Sequence, residues 1–111
     1  MIGRVERGGV YYARTAEGGE RPVVVVSSDV LTRALRKPVV CEITSTERER
    51  SLPTVVRLAA GEAGLERDSY ALCHEIATIG IERFRGELGM LSAERVDEID
   101  RALAVVLDLP A

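Results

Sequence analysis

A small α+β fold, with short strands curled into a barrel and one helix at the C-terminal end, is predicted by three features of this 111-residue chain. Short runs of β-branched and aromatic residues recur at close intervals, separated by glycine, proline and polar turns. From Ser92 onward the apolar spacing changes to that of an amphipathic helix. The length predicts a single domain over residues 1–111, enough for a modest core but not a large one.

The elements follow in order. "GGVYYARTAEGGERPVVVVSSD" reads as strand, glycine-containing loop, strand, with Val10, Tyr11, Tyr12 and Ala13 in the first run and residues 23–26 in the second. "SSDVLTRALRKP" offers Ser28 or Asp29 as N-cap, about two turns of weak helix, and Pro38 as its stop. "PVVCEIT" is a third strand and "LPTVVRL" a fourth. "AAGEAGLERD" is a turn-rich link, and "SYALCHEIATI" is one long strand or two short ones. In "SAERVDEIDRALAVVLDLP", Val96, Ile99, Leu103, Val106 and Leu107 share one helical face. Glu94, Asp97 and Glu98 suit the positive N-terminal end, and Pro110 follows the close. Five to seven strands and this helix make a small barrel.

Composition narrows the function. With 46% hydrophobic and 30% charged residues, the chain is neither disordered nor membrane-spanning, and no apolar run approaches the ~20 residues of a transmembrane helix. The start "MIGRVERGG" lacks the apolar core of a signal peptide, so a cytoplasmic location is expected. Cys41 and Cys73 lie inside apolar runs outside any CxxC pattern and read as buried free thiols. With His74 the single histidine, no metal site is expected. Charge is uneven: residues 1–60 hold 10 Lys and Arg against 7 Asp and Glu, and residues 61–111 hold 5 against 11. Nearly all the cations are arginines, whose planar forks suit phosphate.

Arg21 poses the sharpest question. It stands one proline away from four consecutive valines, where a permanent charge is costly to place against a core strand. On the residues alone it is either a rim ion pair, with Glu20 or Glu42 as partner, or a functional group.

The order of segments resembles the MazF/PemK family of toxin endoribonucleases. The matching pieces are "GVYYA", "GGERPVVVVSSD", "VVCEITS", "SLPTVVRL", "GLERDSYALC", "ATI" and "GELGMLSAERVDEIDRAL", over roughly residues 8–109. The resemblance implies an SH3-like barrel of the CcdB/MazF type and a homodimer. It also implies cleavage of single-stranded RNA at short sequences without a cofactor, and inhibition by a cognate antitoxin. Its catalytic arginine and threonine carry over to Arg21 and Thr44, with Gly18, Gly19, Ser45 and Glu75 as candidate RNA contacts.

RNA cleavage by the 2′-OH needs a proton acceptor, stabilisation of the five-coordinate phosphate, and a proton for the departing 5′-oxygen. Arg21 suits the phosphate and is a poor proton carrier, because its guanidinium does not deprotonate. Thr44 can donate a hydrogen bond to the same phosphate, or else satisfies a backbone group at its strand end. His74 is the candidate proton carrier, since imidazole titrates near neutrality. It stands where the family often has an acidic residue, with Glu75 in place of glutamine and Ala77 in place of a basic residue. The alternative for His74 is a hydrogen-bonded strand histidine. The chain has no Asn or Gln, so adenine edges cannot be read by side-chain amides, and strand alternation sends one of Tyr11 and Tyr12 inward. Two other readings compete: a non-catalytic CcdB-like toxin that binds DNA gyrase, and an SH3-like binding module.

Overall fold

A computed structural model describes residues 4–47 and 51–110. Six antiparallel strands form one sheet: β1 (Gly9–Arg14), β2 (Glu20–Val25), β3 (Val39–Thr44), β4 (Val55–Leu58), β5 (Ser69–Thr78) and β6 (Phe84–Met90). Helix α1 (Asp29–Leu35) joins β2 to β3, and α2 (Ala93–Leu107) follows β6. The strand order is β4-β5-β3-β2-β1-β6. The sheet is barrel-like but open, since no ladder joins β4 to β6 among the described residues. No helix there is long and apolar enough to cross a membrane.

The valine run is explained by burial on both faces of β2. Val24 packs with Val10, Cys41, Ile43, Leu58 and Ile99 in the core beneath α2. Val23 and Val25 point the other way, into a second cluster with Tyr11, Ala13, Val40, Ile79 and Phe84. A strand covered on both faces needs no polar alternation. Cys41 and Cys73 are buried free thiols, as expected. A contact with Cys73, together with burial, holds the Cys41 thiol far above its ordinary range, so it is neutral and unreactive.

Both helices begin on a serine. In α1 the Ser28 side chain accepts from Leu31 N, and in α2 Ser92 accepts from Arg95 N. Helix α1 is turned inside out relative to an ordinary surface helix. Its one buried residue is Thr32, whose hydroxyl meets Ser27 Oγ at 2.8 Å, while Val30, Leu31 and Leu35 are 71%, 41% and 58% exposed. On α2 the inward face is centred on Ile99 and Ala102, flanked by Val96, Leu103 and Val106. Leu107, expected on that face, is exposed. Leu107 is the last residue of α2, and the contact stripe is centred a turn or more earlier, on Ile99 and Ala102.

Strand β6, "FRGELGM", has no signature in the sequence, because two glycines and two charges weaken its strand character. One of them, Gly89, is needed for a close approach, as is Gly64 in the turn it meets. A Cβ at Gly89 would lie 2.7 Å from the Ala63 carbonyl carbon, and one at Gly64 would lie 2.1 Å from Leu88 O. Gly64 also has a φ of 76°. The short turn Glu62–Gly64 is thus pressed backbone to backbone against β6.

The same turn is clamped to α2. Arg95 Nε and Nη2 donate to Glu62 Oε1 and Oε2 at 2.8 and 3.0 Å, and Arg95 Nη1 donates to Glu98 at 2.8 Å. Ala59 N adds a 2.7 Å bond to the Glu62 carboxylate. The Arg95 fork, helped by that N–H, holds the Glu62 carboxyl below its ordinary range. A carboxyl shifted this way stabilises the fold above its unfolded-state pKa and loses that contribution as pH falls through the folded value. Glu62→Gln should therefore lower Tm near pH ~7, and its difference from wild type should shrink toward pH ~3. Thermal unfolding against pH reads this out, and a pH-independent difference would reassign the clamp to packing.

Candidate active site

The candidate cleft lies where β2 begins and β3 ends. Strands β2 and β3 pair with Val25 opposite Val40, Val24 opposite Cys41 and Val23 opposite Glu42. Beyond that last pair, Arg21 and Thr44 stand two residues further along their strands, toward the rim. Arg21 is paired with Ala13 of β1, and Thr44 with Tyr70 of β5. The two residues singled out in the sequence, 23 positions apart, are thereby brought to one end of the sheet.

Both line one open cleft of about 420 Å³, together with Tyr12, Ser45, Glu66 and Arg67. Arg21 is exposed, and among the described residues no ion pair or side-chain hydrogen bond engages its guanidinium. The rim ion pair with Glu20 or Glu42 does not form. Thr44 Oγ1 accepts from Thr46 N at 3.1 Å, the strand-end contact anticipated as the alternative. That bond uses an oxygen lone pair, fixes the side chain, and leaves the hydroxyl proton to be donated to another acceptor. Ser45 follows in the bend after β3 and is exposed. Alternation separates the tyrosines as expected: Tyr11 is 3% exposed, and Tyr12, at 37%, faces the cleft.

The remaining candidates lie elsewhere. His74 is half-buried on β5, and its Nδ1 is 2.8 Å from Thr54 Oγ1 in the segment leading into β4. The ladder is disrupted there, because the adjacent Cys41 and Glu42 of β3 face Ile76 and Leu72. Cys73, His74 and Glu75 therefore bulge between them, tied to the β4 side by a 2.9 Å bond from Cys73 N to Thr54 O. His74 does not line the Arg21 cleft. Glu75 lines a second cleft, of about 570 Å³, with Glu17, Glu42 and Arg83. Gly18 and Gly19 form the β1–β2 turn, closed by Thr15 N to Gly19 O and Gly18 N to Thr15 O, both 3.0 Å. Arg83 steadies that turn by donating to the carbonyls of Arg14 and Thr15 at 2.9 and 3.0 Å.

Two cleft residues, Glu66 and Arg67, escape sequence reasoning. In "GLERDS" they read as ordinary solvated loop charges, and only the return of that loop to the rim brings them beside Arg21. Among the described residues no group of three or more His, Cys, Asp or Glu side chains could hold a metal ion.

Comparison with known proteins gives matches over nearly the whole chain. The family model described as PemK-like, MazF-like toxin of type II toxin–antitoxin system matches residues 6–107. Endoribonuclease EndoA of Bacillus subtilis (strain 168) is 36% identical over 111 residues, covering 95% of this chain and 96% of the relative. Among solved structures, an endoribonuclease in complex with its cognate antitoxin from Mycobacterial species superposes with a TM-score of 0.83 at 27% identity, covering 96% of this chain and 97% of that one. The Mycobacterium tuberculosis toxin MazF-mt6 gives 0.81 at 26% identity, with 93% and 99% covered. With the whole sheet and both helices inside the matched span, the chain belongs to the PemK-like, MazF-like toxins of type II toxin–antitoxin systems.

Proposed function

We propose that this chain, as a single toxin domain, is an endoribonuclease that cleaves single-stranded RNA at selected sequences by attack of the 2′-OH on the adjacent phosphate, without a metal ion. The observation that carries the reading is the juxtaposition of a free guanidinium, Arg21, and a fixed hydroxyl, Thr44, in one open cleft. In the transition state the phosphorus gains a fifth ligand and its equatorial oxygens gain charge. Arg21 answers that charge with parallel N–H donors, and Thr44 adds an O–H donor. The bond from O2′ to phosphorus forms as the bond to O5′ breaks, leaving a 2′,3′-cyclic phosphate and a 5′-hydroxyl. Tyr12 offers a ring face for a base at the cleft mouth, and Ser45 a further hydroxyl.

We assign His74 to the joint between β4 and β5 rather than to the reacting phosphate, because its ring is held by Thr54 and lies off the Arg21 cleft. Glu75, Gly18 and Gly19 border the outer path of a bound strand, where carboxylates such as Glu75 and Glu42 can accept from base amino groups.

The partners follow from the surface. Val30, Leu31 and Leu35 on α1, with Val105, Leu107 and Leu109 at the end of α2, expose apolar side chains that this sheet leaves uncovered. Pairing of two copies and docking of a cognate antitoxin account for them, as the toxin half of such a system requires. An RNA-cleaving toxin meets its substrate in the cytoplasm, a reducing compartment that suits the two buried free thiols.

Arg21→Ala should cut cleavage of single-stranded RNA in EDTA by roughly 10²–10³-fold with the melting curve unchanged. Arg21→Lys should recover little, because an ammonium lacks the fork; near-normal activity of the lysine variant would reduce Arg21 to a point charge. His74→Ala should lower Tm while leaving single-turnover cleavage within about threefold of wild type, well short of the loss of an acid–base group. A loss of ~10²-fold or more, with a vanished limb in the pH–rate profile, would return His74 to the chemistry. Light scattering at micromolar concentration should give the mass of two chains, and a monomer there would refute the pairing.

A further inference from the structure

Arg21 and Thr44 can stabilise charge, but neither removes the proton of the 2′-OH, and His74 lies elsewhere. We infer that Glu66 is the proton acceptor of this active site, with Arg67 beside it as a second phosphate-binding fork; the inference rests on the ribonuclease reading above.

Three observations carry it. First, among the described residues that line the cleft holding Arg21 and Thr44, the one carboxylate is that of Glu66. The other acid–base side chains among those described at the cleft are the guanidiniums of Arg21 and Arg67, which have donors and no acceptor, and the Tyr12 phenol, a far weaker proton acceptor than a carboxylate. Glu66 is thus the lining side chain able to accept a proton at neutral pH. Secondly, its carboxylate is free to work. Among the described residues Glu66 makes no ion pair or side-chain hydrogen bond, whereas the nearby acids Glu62 and Asp68 are committed to Arg95 and Arg57.

Thirdly, the backbone that carries Glu66 and Arg67 is pinned on both sides. Leu65 is buried in the core, its N–H donates to Glu62 O at 2.9 Å, and its carbonyl accepts from Gly61 N at 2.7 Å. On the far side Asp68 accepts from Ala60 N at 2.9 Å and from Arg57 at 3.0 Å, and buried Ser69 donates to Arg67 O at 2.8 Å. Glu66 and Arg67 are therefore the exposed pair of an otherwise anchored loop that returns to the rim. Such placement is expected of groups that must meet a substrate without reordering.

In the step itself, the proton of O2′ passes to the Glu66 carboxylate as O2′ bonds to phosphorus. The bond to O5′ breaks, and O5′ takes its proton from solvent. Glu66 returns its proton to water before the next turnover. Arg67, which lines the same cleft as Arg21, holds a phosphate oxygen of the same strand and sets the 2′-OH against the carboxylate.

The test uses the whole protein and a single-stranded RNA oligonucleotide bearing a cleavage step first mapped with wild type, with Arg21→Ala as the inactive control. Glu66→Gln keeps shape and polarity and should melt like wild type. It should lose ~10²–10⁴-fold in kcat with KM nearly unchanged, and its pH–rate profile should lack the acid limb of wild type. A substrate with sulfur in place of O5′, whose leaving group needs no proton, should not rescue it. Arg67→Ala should instead raise KM and flatten the salt dependence of binding by about one phosphate contact. A Glu66→Gln rate within about threefold of wild type with the limb intact, or full rescue by the sulfur substrate, overturns the assignment of Glu66 while inactivity of Arg21→Ala leaves the ribonuclease reading standing. No cleavage by wild type overturns both.

Discussion

The pairing register of β2 against β3 is the constraint on which the active site depends. A run of four valines cannot choose its own register, because a slip of one residue still buries valine on either face. The choice is made at the ends of the strands. At one end, Gly8 N bonds Val25 O, Val26 N bonds Val39 O, and Ser27 Oγ accepts from Val39 N while it engages Thr32. At the other, Pro22 removes a ladder donor and Arg21 must stay at the solvent edge. The odd composition of α1 follows from this. A buried threonine stands where a leucine would otherwise serve, because the helix has a hydroxyl to supply to the β2–β3 junction.

The second half of the site is held by a different device. The Glu62–Gly64 turn is pressed onto β6 through two glycines and locked to α2 by the Arg95 fork. Leu65 then enters the core, and the chain returns to the rim with Glu66 and Arg67. The C-terminal helix, remote from the cleft in sequence, thereby helps to set where the cleft's carboxylate stands. Among the described residues no ladder joins β4 to β6, and this turn packs against β6.

Charge is used locally rather than globally. The chain is net −3, yet among the described residues its cleft presents two arginines against one glutamate, and neither arginine is tied to a protein carboxylate there. The adjoining cleft has the opposite character, with Glu17, Glu42 and Glu75 against Arg83. A nucleic acid strand crossing both would place phosphate at the first and base edges at the second. That is the division between positioning and reading that protein–nucleic acid contacts generally show.

The sequence by itself determined the elements whose signal is local. The valine strand, a cap at Ser28 or Asp29 for the first helix, the amphipathic stretch after Ser92, the buried cysteines, and the anomaly of a charged Arg21 beside a core strand all follow from neighbouring residues and their periodicity. Thr44 came from the family resemblance, and the fold brings it to the same cleft as Arg21. What only the tertiary structure decided is whatever depends on two distant segments meeting. Strand β6 carries Gly89 for the sake of a turn more than twenty residues earlier, a contact its own residues do not announce. Leu107, the last residue of α2, is left exposed because the helix's contact with the sheet is centred on Ile99 and Ala102. His74, apparently well placed in the chain, is carried off the cleft by a bulge that exists only in the pairing of β5 with β3. Glu66 and Arg67 look like solvated loop charges until the loop closes on the rim. Periodicity encodes which face a residue takes within its own element, but a site is a coincidence of elements, and that coincidence is fixed by register and packing.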